Sequence, residues 1–273
     1  MSNIKLGAEV YTWFMKESGK AHANKLDHMI RISAQAGFTG IEPIFTWMGD
    51  LLDKHKLKDC LDENDMEFAA LVLCLDWNHS TETDEERKTA DRAIKLLQSF
   101  PETMLCTVQM PTSRDNIIER RLNLANNVNT VSKRAQEAGI NCTFHPNSPG
   151  VSTNRTEEDY AVILNALDSN VTGWTPDVGH IKNAGMDPLT KMKEFSSLIN
   201  MVHYKDWDGK PEWALMGEGE IDFKGITQWL VDQDFEGWII CEDEADQALE
   251  DADAVTLHDG EYCKRELKSI LEQ

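Results

Sequence analysis

Four residues able to ligate a metal each close a short β-type run in the second half of the chain. They are His145 in INCTFHPN, Asp177 in VTGWTPDVGH, His203 in INMVHYKD and Glu242 in GWIICEDE. Their successive spacings are 32, 26 and 39 residues, near the length of one strand–loop–helix unit. Consecutive parallel strands would then each deliver one ligand to the same end of a barrel. Two imidazoles and two carboxylates suit one divalent cation, with Mn²⁺, Co²⁺, Fe²⁺ and Zn²⁺ favoured and Mg²⁺ left open. A shell that the protein fills incompletely has room for a substrate oxygen.

The neighbours of these residues add chemistry. Asp177 follows Pro176 and precedes VGH. A carboxylate ending a buried strand needs a partner, which a metal or the start of a following helix can supply. His180, three residues on, is placed to donate to a substrate hydroxyl or to orient the site. In MVHYK, His203 and Lys205 alternate, so on a strand they share one face while Tyr204 takes the other. Lys205 can bind a substrate oxygen or stabilise an enolate, with Asp206 as its ion-pair partner. Glu242 follows the apolar run IIC and is the inward carboxylate, whereas Asp243 and Glu244 open an acidic loop. His145 alone is as readily a core histidine; four matched strand ends carry its assignment.

The first half supplies weaker signals. Glu42 ends the second strand-like run and Glu9 lies on the first. Trp13 and Trp47 offer aromatic walls suited to the apolar face of a sugar. Trp77 and His79 follow the third run, and Gln109 ends the fourth within reach of a hydroxyl. Together these residues describe a polar and aromatic cup for a polyol.

Positioning such a set requires regular alternation, and the chain shows it. Strand-like runs fall at 4–11, 40–45, 67–74, 103–110, 141–146, 172–178, 198–205 and 237–242, and helix-like segments occupy the intervals. Thr83 with Glu86 predicts a capping box before a helix over 84–99, and Thr156 with Asp159 another. Ser113 is expected to cap a long helix running to about residue 138. Eight β/α units in 273 residues predict a single (β/α)8 TIM barrel over 1–273. A doubly wound sheet would favour an early glycine-rich phosphate fingerprint, and neither GxGxxG nor GxxxxGK[ST] occurs.

Bulk composition narrows the function. Lys and Arg number 27 against 48 Asp and Glu, a formal charge of −21. Such a surface repels phosphate backbones and anionic lipid, which argues against nucleic-acid and membrane partners. The six cysteines show no CxxC pair, and neither a leader nor an apolar run of membrane-spanning length is evident. A reduced cytoplasmic protein acting on a small molecule is expected, with homo-oligomerisation left open.

The stretches GFTGIEPIF, FHPN, PDVGHIKNAGMDP, HYKD, GEGEIDF and GWIICE resemble, in order, the xylose-isomerase-like TIM-barrel superfamily of sugar phosphate isomerases and epimerases. Within it the chain is most similar to inosose dehydratase and its relatives. The resemblance implies a metal-dependent lyase that removes the proton beside a ketone of a keto-polyol or keto-sugar and eliminates a β-hydroxyl. An isomerase or epimerase using the same enediolate is the alternative. It implies Asp177, His203 and Glu242 as metal ligands, with His145 where the broader family has a glutamate. Epimerases use two opposed carboxylates, so His145, with Val151 where they carry a further glutamate, points away from two-base epimerisation. Asn147 stands where dehydratase relatives often have a second histidine, in a position to contact substrate. Glu242 or His145 is then the base, Lys205 steadies the oxyanion, and His180 or His145 protonates the leaving hydroxyl.

Overall fold

All eight expected strand segments form, one of them interrupted. The computed structural model describes residues 2–15, 22–209 and 213–273. Its strands are β1 (Ile4–Glu9), β2 (Gly40–Glu42), β3 (Glu67–Phe68), β4 (Ala70–Leu75), β5 (Met104–Gln109), β6 (Cys142–His145), β7 (Gly173–Trp174), β8 (Val202–Tyr204), β9 (Asp206–Trp207), β10 (Trp213–Ala214) and β11 (Gly237–Cys241). The expected 67–74 strand breaks at Ala69 into β3 and β4. The expected 172–178 strand shrinks to β7, because Pro176 has no N–H for a ladder and Asp177 already begins a helix.

Two compact units can be distinguished, Met1–Ala69 with Val202–Gln273, and Ala70–Met201. The first carries a five-stranded parallel sheet in the order β3-β2-β1-β11-β8 and a short antiparallel pair, β9 with β10. The second carries a four-stranded parallel sheet, β4-β5-β6-β7. Consecutive parallel neighbours need a crossover, and helices supply it. Such strands are covered on both faces, as the fully buried CTFH of β6 illustrates. Gly40 is required by close approach, since a Cβ there would lie 2.4 Å from the Trp238 ring.

Helix starts follow the local chemistry. Asp84–Leu97 and Glu157–Ala166 both open on the expected capping boxes. The long helix begins later than expected, at Ile117, and runs to Glu137. Ser113 instead closes a local turn, its Oγ accepting from the Asp115 N–H at 3.0 Å, and left-handed Asn116 (φ 54°) leads into the helix. All six cysteines are free. Among the described residues, no helix is long and apolar enough to cross a membrane.

Candidate metal centre

In the first unit, four strand ends bring their polar residues onto one face. Glu9 of β1 and Glu42 of β2 are Cα partners in the ladder. His203 of β8 pairs with Ile240, two residues before Glu242 beyond β11. The His203 ring is held from both sides: Nε2 lies 2.7 Å from Glu42 Oε2, and Nδ1 lies 3.3 Å from Glu242 Oε2. The other Glu242 oxygen is 2.9 Å from Lys205 Nζ. Lys205, 1% exposed, also bonds Glu244 and sits 5.0 Å over the Trp213 ring.

Buried carboxylates set the charge around His203. Burial, with Glu242 and Glu42 nearby, pushes the Glu9 carboxyl well above its usual range. Burial also opposes charge on His203, but the Glu42 and Glu242 carboxylates outweigh it and raise the imidazole to about 10. The buried Glu42 and Glu242 carboxylates both meet the His203 imidazole, an oxygen and nitrogen donor set of the kind that holds a divalent cation. The donor set therefore fits a metal.

Asp206 does not pair with Lys205 as expected. Its carboxylate accepts the backbone N–H groups of Trp207, Gly217, Gly219 and Ile221 at 2.8, 2.8, 2.9 and 3.2 Å. The GEGEID segment is thus wrapped around one buried carboxylate. Gly219 permits the approach, because a Cβ there would lie 2.3 Å from Asp206 Oδ1.

The second unit holds two further candidate ligands of its own. His145 closes β6, and Asp177 caps the Val178–Asn183 helix. Of the two roles read for Asp177, the helix cap is present, and its second oxygen faces two imidazoles. Oδ1 accepts the His180 N–H at 2.8 Å, while Oδ2 lies 3.3 Å from His145 Nε2 and 3.9 Å from His180 Nε2. The His145 and His180 rings meet edge to face at 5.7 Å. Gln109 ends β5 with Nε2 donating to the Asp76 carbonyl at 2.9 Å. Its Oε1 is buried without a partner among the described residues, an acceptor aimed at something else. Asn147 Nδ2 donates to the Gln109 carbonyl at 2.7 Å.

Other expected residues are placed differently. Trp13 is 0% exposed and donates Nε1–H to Asp253 Oδ1 at 2.7 Å, so its ring is core and presents no face to a sugar. Trp47 is half-buried and stacks on Phe14 with ring centroids 4.3 Å apart. His79 is exposed, and its backbone carbonyl accepts from Asn127 at 2.7 Å. Sequence reasoning passed over Glu244 and Ser148. Nothing in an acidic loop or a Pro-flanked serine marks either one before the loops are folded.

The His203 environment has a measurable consequence. Its folded pKa, about 10, lies above the ordinary 6.5. The ion pairs therefore contribute fully to stability below about 6.5, and that contribution is lost as pH rises through about 10. The urea midpoint of the metal-free protein is expected to fall between pH 7 and 10. His203→Gln should flatten that fall; an unchanged slope in the variant would contradict the pairing.

Comparison with known proteins places these features in context. The family described as "Xylose isomerase-like TIM barrel" matches residues 30–267. An inosose dehydratase from Clostridium perfringens is 24% identical over 286 residues, covering 91% of this chain and 92% of that protein. The structure of IOLI protein with a bound zinc atom superposes with a TM-score of 0.76 at 14% identity, covering 98% of each chain. A D-allulose 3-epimerase from Methylomonas sp. gives a TM-score of 0.69 at 18% identity, covering 98% of this chain and 99% of the other.

Proposed function

Because this chain belongs to the xylose isomerase-like TIM-barrel family, we propose that this enzyme is a divalent-metal-dependent lyase. Its substrate would be a keto-polyol or keto-sugar, and its reaction α-proton abstraction followed by β-elimination. As one domain over 1–273, it would hold the metal through His145, Asp177, His203 and Glu242. When bound, that ion supplies Lewis-acid polarisation of the keto group.

The remaining work falls to side chains. Glu242, or His145, takes the proton beside the ketone. Lys205 lies against Glu242 at 2.9 Å and steadies the negative charge that develops on oxygen. His180 returns a proton to the departing hydroxyl. Gln109 Oε1 accepts from a substrate hydroxyl, with Asn147, His79 and Trp47 as further contacts.

The observation that carries the lyase reading is the His145–Asp177–His180 cluster. Elimination needs a proton donor for the leaving oxygen, and an imidazole beside a carboxylate suits that task at neutral pH. Two-base epimerisation would need a second carboxylate where His145 stands. Similarity to an inosose dehydratase supports the same choice. A neutral substrate is favoured over a phosphorylated one, because Lys205 is already engaged by two carboxylates.

Incubation with keto-polyols and free ketoses in D₂O tests the reading. The expected product is an ultraviolet-absorbing enone or deoxy-dicarbonyl, with no inversion at the exchanging carbon. Clean epimerisation or isomerisation of a ketose, with no eliminated product, would replace the lyase by its isomerase alternative.

A further inference from the structure

We propose that Ser148, oriented by Asn183 and clamped by Arg155, is a positioning residue that fixes His180 as the tautomer bearing its proton on Nε2. This rests on the lyase reading only in the use made of that proton. The tautomer itself follows from the direction of the hydrogen bonds.

Two donors converge on one ring nitrogen. The Ser148 backbone N–H points at His180 Nδ1 at 3.3 Å, and Ser148 Oγ lies 2.9 Å from the same atom. A backbone N–H can only donate, so Nδ1 must be the accepting, unprotonated nitrogen. The hydroxyl contact is consistent with that direction. Asn183 Nδ2 donates to Ser148 Oγ at 3.0 Å, so Oγ is already an acceptor there, and with Nδ1 accepting from the backbone N–H the hydroxyl hydrogen completes the contact to the same nitrogen. The neutral ring then carries its hydrogen on Nε2, the nitrogen 3.9 Å from Asp177 Oδ2.

Arg155 makes the arrangement rigid. Its Nη1 donates to the Ser148 carbonyl at 3.0 Å and to the Asn183 carbonyl at 2.7 Å. One guanidinium therefore ties the loop after β6 to the last turn of the Val178–Asn183 helix. Ser148 is 0% exposed, so water does not compete for the Nδ1 position. An imidazole free to exchange tautomers would spend part of its time with a lone pair, and no proton, facing the leaving oxygen.

Asn183→Asp separates this role from simple packing. The carboxylate is the same size but can only accept, so it takes the Ser148 hydroxyl hydrogen and turns an oxygen lone pair toward Nδ1. Two-bond ¹⁵N–¹H correlation spectra of histidine-labelled, metal-free protein read the tautomer directly, with His180→Gln giving the assignment. In the wild type, the expected His180 signals are an acceptor-type Nδ1 and a protonated Nε2. In Asn183→Asp, the Nε2–H population should fall. Ser148→Ala should lower kcat about fivefold, the loss of one neutral hydrogen bond, with KM little changed; Ser148→Thr should restore it where the fold is intact by circular dichroism. A wild-type His180 protonated on Nδ1, or spectra of Asn183→Asp identical to wild type, would overturn the proposal. The expected tautomers without any elimination activity would leave it standing and remove the lyase reading instead.

Discussion

Replacing Asp177 by Ala is expected to abolish both metal retention and turnover, while Asp177→Asn should lose the metal and keep most of the stability. The two variants differ because the two oxygens of Asp177 do different things. Oδ1 caps the Val178–Asn183 helix through the His180 N–H, and an asparagine carbonyl can do the same. Oδ2 faces His145 Nε2, where an ionised oxygen is needed to bind a cation. Loss of the cap should cost Asp177→Ala about 1 kcal/mol more than Asp177→Asn. His203→Ala should also lose the metal. It leaves the buried Glu42 and Glu242 carboxylates without their imidazole, so a larger fall in stability accompanies it. Elemental analysis after gel filtration, paired with urea unfolding, measures both effects. Full metal occupancy in Asp177→Ala and His203→Ala would refute the ligand assignment.

The contrast between Asp177 and Asp206 shows what can be read before folding. His145 and Glu242 were legible as strand-end positions because a buried run closed by one polar residue has few other meanings in a parallel sheet. Asp177, read as the end of a strand, instead caps a helix three residues beyond one. The alternation of His203 with Lys205 placed both on one face, and Lys205 indeed meets Glu242 on that face. Asp206 looked equally suited to neutralise Lys205. Its true partners are backbone N–H groups 11 to 15 residues downstream and its own neighbour, and no periodicity announces a loop wrapped around a carboxylate. Ser148 was hidden for the same reason: its contact with His180 spans 32 residues and depends on the path of an irregular segment. Trp13 failed differently. A tryptophan after a strand can line a cup or fill a core, and only its bond to Asp253, 240 positions away, decides for the core.

Glu42 is the residue whose meaning changed most. At the end of the second strand it was expected to contact substrate, yet its carboxylate lies 2.7 Å from His203 Nε2. A carboxylate against an imidazole raises the basicity of the ring. Under the proposed ligand set, the Glu42 contact on Nε2 would leave Nδ1, on the Glu242 side, for the metal. The buried acids of this unit follow the same logic, since a buried carboxylate is tolerated where a cation or a donor meets it.

Substituting Lys205 by Met is expected to lower kcat roughly a hundredfold while changing KM far less, the signature of a group acting on developing charge. Met keeps the length and apolar stem of lysine, so packing over the Trp213 ring is largely conserved and the change isolates the ammonium. Two consequences need separating. Removing the cation takes from Glu242 and Glu244 a partner they now share, and the lost ion pairs will cost some stability. A double substitution, Lys205→Met with Glu244→Gln, removes one of those carboxylate charges and should recover stability without recovering kcat. If activity returns with stability, Lys205 serves only to neutralise its neighbours. If kcat stays low in a well-folded double variant, the ammonium acts on the substrate oxygen. Lys205→Arg offers the complementary test: a planar guanidinium keeps the charge but not the point geometry, so it should restore folding more fully than turnover.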